Sequence, residues 1–174
     1  GGHINPAVTL GMLATGKIKP PAAAAYIGVQ LLGATLAAFI LSSCLPAAEV
    51  KAVKLGATLG ALSTPGNAAS IIIIEAILTF LLVTTIFAVA VDKRGPKNIY
   101  GFAIGLTVCF DILCAGKYTG ASMNPARSFG PALIGGHWDI HHCYWIGPIL
   151  GGVLAALVYD RIIIGKDGGG GDED

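Results

Sequence analysis

The tripeptide Asn-Pro-Ala occurs twice in this chain, as Asn5-Pro6-Ala7 near its start and as Asn124-Pro125-Ala126 119 positions later. Asn is a strong helix N-cap, and Pro is favoured at the first helical position because the N–H it lacks is one the helix leaves unbonded anyway. Each copy therefore predicts the start of a helix. Each is followed by a short apolar run, Ala7 to Thr15 in one case and Pro125 to Ile134 in the other. Nine residues rising 1.5 Å each reach about 14 Å, roughly half of a ~30 Å hydrocarbon core. Two such half-helices, entering from opposite faces and meeting tip to tip, would cross a bilayer together.

Composition places the chain in that setting. It is 54% hydrophobic and 12% charged, with a mean hydropathy of +0.73, too apolar for a soluble domain of 174 residues. Apolar runs of spanning length cover Ala22 to Leu45, Ile71 to Val91, Ile99 to Ala115, and Tyr144 to Tyr159 with Ile162 to Ile164 beyond. The expected fold is an all-α membrane protein with four full transmembrane helices and two re-entrant half-helices. Gly116 to Met123 leads into the second half-helix. Pro46 to Asn67, with Glu49, Lys51 and Lys54, reads as an aqueous loop with room for a short interfacial helix. Asp92 to Lys97 is a tight basic turn. Residues 1–164 form the membrane domain, and Gly165 to Asp174, all Gly, acid and one Lys, is expected to be a disordered tail.

Several function classes fall away. The net charge of +1 has no basic block behind it, so nucleic acid is not an expected partner. Cys44, Cys109, Cys114 and Cys143 lack metal-type spacing and read as packing residues or free thiols, with no metal site and no cofactor implied. No nucleophile, acid–base pair or phosphate loop suggests an enzyme. His137, His141 and His142 stand beside Trp138 and Tyr144, which predicts an interfacial belt with exposed imidazoles rather than a metal or pH-sensing site. The loop at 17–19, the turn at 93–97 and the C-terminal Arg161 and Lys166 hold seven basic residues, so the positive-inside rule puts them, and the C-terminus, in the cytoplasm of a multi-pass protein. The pairs Gly101/Gly105 and Gly147/Gly151 suit close helix crossings within or between protomers.

The paired contexts Gly1-Gly2-His3-Ile4-Asn5-Pro6-Ala7-Val8-Thr9 and Gly120-Ala121-Ser122-Met123-Asn124-Pro125-Ala126-Arg127-Ser128-Phe129-Gly130 resemble the aquaporin (major intrinsic protein) family, and the resemblance extends to about Ile164. It implies a passive channel for water and small neutral solutes, homotetrameric in the lipid bilayer, of a bacterial cell membrane or a plant-type vacuolar or plasma membrane. It implies that backbone carbonyls of Gly1, Gly2, His3, Gly120, Ala121 and Ser122 line the path. Ile112, Ala121 and Arg127 match the family's outer constriction, whose remaining member belongs to a second span. Where strict water channels carry His this chain has Ile112, which resembles members that also pass ammonia, urea or glycerol. Against a dedicated glycerol facilitator stand Ser128, Ala132 and the pair Tyr144-Trp145. Because the second half reads span, span, half-helix, span, an inverted repeat requires two further spans before Gly1, and the 174 residues are expected to be a fragment.

Ionisable groups in apolar spans require a role, since a guanidinium or carboxylate at membrane depth costs at least ~2.5 kcal/mol on insertion scales. Arg127 marks the pathway. The resemblance gives Glu75, followed by Thr79, the structural task of accepting from the half-helix loop. Asp111 is expected to anchor the loop at 116–123, with pairing to Arg127 as the alternative, and Gln30 to be another loop anchor. The half-helix N-termini carry the positive ends of two dipoles, and the Asn5 and Asn124 amides would donate to a passing water. The rival readings are a broader solute facilitator, a low-conductance membrane junction or scaffold of the same fold, and a coupled transporter, for which no midplane ion cluster is visible.

Overall fold

The computed structural model of the chain describes residues 2–96 and 98–165, and among them every regular element is helical. In chain order these are α1 (Pro6–Ala14), α2 (Pro20–Cys44), α3 (Ala47–Ala52), α4 (Ala68–Ile86), α5 (Tyr100–Thr119), α6 (Pro125–Gly135) and α7 (Cys143–Val158). Wider π turns at Phe87–Val91 and Tyr159–Ile164 extend α4 and α7. Among the described residues, four helices are long and apolar enough to cross a membrane: Pro20–Cys44, Pro65–Val91, Tyr100–Thr119 and Cys143–Ile164. At 1.5 Å per residue, α1 and α6 together are about 30 Å long, one hydrocarbon thickness.

The boundaries follow from local chemistry. Asn5 and Asn124 cap α1 and α6 through their side chains, and Pro follows each at the first helical position. The third span outlasts the expected end at Ala115 by a turn, because Gly116 and Lys117 stay helical and the stop comes at Gly120, whose φ of 89° only glycine adopts freely. A Cβ at Gly120 would also stand 2.9 Å from the Thr58 and Leu59 backbone. The loop into α6 is therefore shorter than the sequence suggests.

The half-helices are exchanged between the two parts of the chain. α1 packs on α7, the span that follows the second half-helix, while α6 packs on α2, the span that follows the first. This crossed pairing is the contact signature of an inverted repeat. The most extensive interface joins α4 to α7. There a Cβ on Gly151 would lie 2.0 Å from the Ala76 carbonyl oxygen, so the 147/151 pair serves a contact within the protomer. Gly101 and Gly105 face open space.

Three segments meet at one end of the bundle. Lys17 pairs with Asp160 at 2.6 Å, Arg94 pairs with Asp92 at 2.7 Å, and Arg94 Nη2 also donates to the Ile163 carbonyl. The basic segments that the sequence assigned to one side thus share it. Arg94 holds the Asp92 carboxyl down at about 2, by hydrogen bonds from its side chain and backbone first and by its charge after. Lys97, Lys166 and the tail from residue 166 lie outside the described residues.

Candidate functional site

The tips of α1 and α6 touch. Asn5 Nδ2 donates to the Met123 carbonyl at 2.8 Å, and Asn124 Nδ2 donates to the Ile4 carbonyl at 3.1 Å. Meanwhile Asn5 Oδ1 accepts from the Ala7 N–H, and Asn124 Oδ1 from the Ala126 and Arg127 N–H groups. Each amide therefore caps its own helix with its oxygen and fastens the opposite loop with its nitrogen. A carboxamide has two N–H groups, so one on each Asn is not used in this pairing. The carbonyls of Ile4 and Met123 were not among those expected to matter, and nothing in the local sequence marks them.

Beside the tips lies a cavity of about 1060 Å³. Gly2, His3, Asn5, Asn124, Ala121, Ser122, Ile112 and Arg127 all line it, and so do Lys17, Asp92 and Lys93 at the end where the charged segments gather. Tyr100, Ile104, Val108 and Ile112 come from α5 at four-residue intervals, the spacing that keeps side chains on one helical face. One wall is thus largely apolar side chain and another is loop backbone. Of the expected carbonyl residues, Gly120 is not in the lining, because it is spent capping α5 against the 58–59 backbone, and Gly1 lies outside the described residues. His3 also packs its ring on Tyr26 at 5.1 Å.

Glu75 organises the second loop. It is fully buried and accepts from Ser122 N–H at 2.9 Å, Met123 N–H at 2.8 Å and Thr119 Oγ1 at 2.7 Å. A trans peptide points its N–H and C=O in opposite directions. With both N–H groups turned onto Glu75, the carbonyls of Ala121 and Ser122 are turned away from it. The backbone reaches this shape only with Ala121 and Met123 at φ of 43° and 54°, a region costly for residues with a Cβ. In the first loop Gln30 Nε2 donates to the His3 carbonyl and to Thr9 Oγ1, both at 3.0 Å.

Asp111 departs from expectation. It is buried, yet among the described residues its carboxylate makes no hydrogen bond, and Oδ2 is without a partner. The donors of the loop converge on α4 instead, because α5 continues past Ala115 and delivers Thr119 to Glu75. Nor does Asp111 pair with Arg127, whose Nη1 reaches the Gly56 carbonyl at 3.4 Å and whose side chain is exposed.

The segment at 46–67 is more than an aqueous loop. Its later part is strapped over the second half-helix loop: Ala61 and Leu62 N–H groups donate to the Lys117 and Tyr118 carbonyls, and Thr58 Oγ1 donates to Ser128 Oγ at 2.7 Å. Ser128 and Ser122 hydroxyls share a further hydrogen bond, and the Tyr144 hydroxyl donates to the Thr119 carbonyl at 2.7 Å. Thr58, Thr119, Ser128 and Tyr144 thus belong to the scaffold of the site, and single hydroxyls scattered over one loop and three helices give no pattern that marks them as a scaffold in the sequence. The histidines also divide: His142 is exposed, but His141 Nε2 accepts from the Trp145 indole at 3.0 Å, so its imidazole is not simply part of an exposed belt. All four cysteines are free, and among the described residues no three His, Cys, Asp or Glu side chains gather to hold a metal.

Fold and site together define a multi-pass α-helical membrane protein with paired re-entrant half-helices. The chain belongs to the major intrinsic protein family, whose profile matches residues 1–159. It is 46% identical to aquaporin TIP4-4 of Zea mays over 170 residues, 97% of this chain and 65% of that one. It is 42% identical to aquaporin TIP2-1 of Arabidopsis thaliana, covering 95% of this chain and 64% of the relative, and 46% identical to aquaporin-4 of Rattus norvegicus, covering 93% and 49%. The crystal structure of an aquaglyceroporin from Plasmodium falciparum superposes with a TM-score of 0.78 at 24% identity, over 95% of this chain and 74% of the other, which shows a shared fold. The chain spans less than two thirds of the length of these curated relatives.

Proposed function

We propose that this chain forms the main part of a passive transmembrane channel, not an enzyme, that conducts water and small neutral solutes and turns ions and protons away. The observation that carries this is the reciprocal bonding of Asn5 and Asn124 across the two tips at the wall of one cavity. Each helix N-terminus presents about +0.5 charge, so paired tips repel cations. The unused amide N–H of each Asn donates to the oxygen of a water passing them. A water held by two donors points its own hydrogens away from the tips in both directions, which breaks a proton wire. The apolar stripe on α5 offers no competing bonds, while the carbonyls of Gly2, His3, Ala121 and Ser122 accept along the other wall. That the relatives are named aquaporins supports water as the main guest.

Ile112, Ala121 and Arg127 form the part of the outer constriction that this chain supplies. Ile112 and Ala121 bring no polar side chain, which favours a second reading in which ammonia, urea or glycerol also pass. Glu75 and Gln30 are the structural supports of the two loops. Arg127 is exposed and Asn124 half-exposed, so this flank of the cavity is open; in the whole protein further transmembrane segments cover it. The protein assembles as a homotetramer in the bilayer, with the end bearing Lys17, Asp92 and Arg161 in the cytoplasm.

Stopped-flow shrinkage of proteoliposomes tests the channel. Water flux well above that of empty vesicles, lost in Asn5→Ala/Asn124→Ala, is the expected result. Flux no higher than in empty vesicles once the flank is covered overturns it. Repeating the assay with glycerol, urea and ammonia separates the two readings. Protease access to the C-terminus in sealed vesicles, and mass by light scattering, test sidedness and oligomeric state.

A further inference from the structure

The loop after α6 closes into a cluster of four rings. Phe129, on α6 two residues past Arg127, has its ring centroid 5.8 Å from Trp138, 6.3 Å from His141 and 6.5 Å from Trp145. His141 meets Trp138 edge-on at 4.8 Å, and its Nε2 takes the Trp145 indole hydrogen at 3.0 Å. Phe129 is thus held by three partners, one in α7 and two in the loop, and His141 is bonded to both of the others, through Nε2 to Trp145 and through its backbone N–H to the Trp138 carbonyl at 3.2 Å. An indole N–H is a donor only, so it needs the lone pair of a neutral imidazole carrying its proton on Nδ1. A protonated imidazole has no lone pair to offer.

We propose that neutral His141 is a positioning residue: it fixes Trp145, the rings seat Phe129 and with it the turn of α6 that carries Arg127, and protonation of the imidazole releases that hold. The inference rests on reading Arg127 as part of the constriction, and adds a residue, and a pH dependence, that the constriction itself does not contain. The titratable and charged groups on the elements packed here are His137, Asp139 and His142 in the loop, Arg127 on α6, and Cys143 and Tyr144 at the start of α7. Burial, the larger effect, holds the His141 imidazole below the usual histidine range, and the charge of neighbouring His142 acts in the same direction. The folded chain therefore resists the proton more than the unfolded chain does. The contact is complete above the usual histidine pKa, ~6.5, and is lost as acidification carries the pH down through the lower folded value.

The chain has only two tryptophans, Trp138 and Trp145, and both are in the cluster, so tryptophan fluorescence, excited selectively over that of the five tyrosines, reports on it alone. Titrated between about pH 8 and 4, the full chain should show one transition in tryptophan emission with a midpoint below ~6.5. His141→Gln, whose amide oxygen can still accept from Trp145, should lose the transition and keep the neutral-pH spectrum, while His142→Gln should keep it. A transition that survives in His141→Gln, or none in the wild type, overturns the proposal. Coupling to the constriction is read without any flux measurement, from the rate at which phenylglyoxal modifies Arg127 relative to Arg94 and Arg161. That ratio should change with the same midpoint, on the order of fivefold at the low end of coupling between sites, and stay flat in His141→Gln. A ratio that does not follow the fluorescence overturns the link to α6. A failure of water flux counts against the channel and not against this coupling.

Discussion

The two half-helix loops end in the same tripeptide and are held by different chemistry. Apart from the exchange of bonds between the tips, the first rests on one neutral amide, Gln30, which donates to the His3 carbonyl and Thr9 and leaves its own Oε1 buried without a partner. The second drives three donors into one carboxylate, Glu75, and is strapped by Thr58, Ser128 and Tyr144 as well. The difference matches what each loop has to hold. Only the second places non-glycine residues, Ala121 and Met123, in the left-handed region. Strained backbone persists only where surrounding bonds over-determine it. Identical tips thus need unequal foundations when one of them must also present a shaped wall, and Ala121 and Arg127 both belong to that wall.

The largest effect on the second loop is expected from Glu75→Gln. A glutamine places an amide donor where three donors converge, leaving a backbone N–H unmet and two donors opposed. The expected loss is about 3 kcal/mol, from charge-assisted hydrogen bonds and an orphaned donor, read as a lower thermal unfolding midpoint in detergent. An unchanged midpoint would make the two foundations equivalent and remove the contrast.

Next come the tips themselves. Asn5→Ala and Asn124→Ala should each cost about 1–2 kcal/mol through the lost cap. Because each amide also bonds the other loop, the double variant should deviate from additivity by about 1 kcal/mol in a double-mutant cycle. Strict additivity would mean that the tips are held only by their own scaffolds. Gln30→Leu should cost about 1 kcal/mol, clearly less than Glu75→Gln, since it removes neutral bonds from a loop under less strain.

Two small effects sharpen the picture. Asp111→Asn should not lower stability, because there is no hydrogen bond to lose and a buried carboxylate without a partner is removed. A large loss would reveal that Asp111 supports the second loop after all. At the far end of the cavity, Arg94 depresses the Asp92 carboxyl from 3.8 to about 2. A depressed carboxyl favours the folded state above its unfolded value and loses that contribution as pH falls through the folded one. The clasp from the 92–94 turn to Ile163 should therefore loosen only between about pH 4 and 2, and more weakly in high salt, as judged by hydrogen exchange at the turn.

Much of this architecture was legible along the chain. Four spans, two half-helices and their capping residues follow from apolar run lengths and from Asn followed by Pro, because those signals are local and each residue reports its own neighbourhood. Gly120 as the true end of α5 was less legible, since Gly116 is an equally plausible stop until the backbone angle is known. Asp111 and Glu75 look alike in sequence, each one acid in an apolar span, and only Glu75 meets donors. The strap at 56–62 had no signal, because its bonds use backbone groups and single hydroxyls that every loop contains. The same holds for His141: a belt of imidazoles and a hydrogen-bonded imidazole have identical composition.

By itself the sequence determined that the chain lives in a bilayer, that it is built twice over from a span and a half-helix, and that two Asn-capped helix starts sit where no full span can. Hydrophobic burial and helix capping are short-range demands, so composition and spacing express them directly. Only the tertiary structure decided which carbonyl each Asn amide takes, which of two buried acids holds the second loop, and which glycine pair serves a crossing. Those outcomes depend on where donors and acceptors more than forty residues apart come to rest, and a hydrogen bond is won or lost over tenths of an ångström that no spacing rule contains.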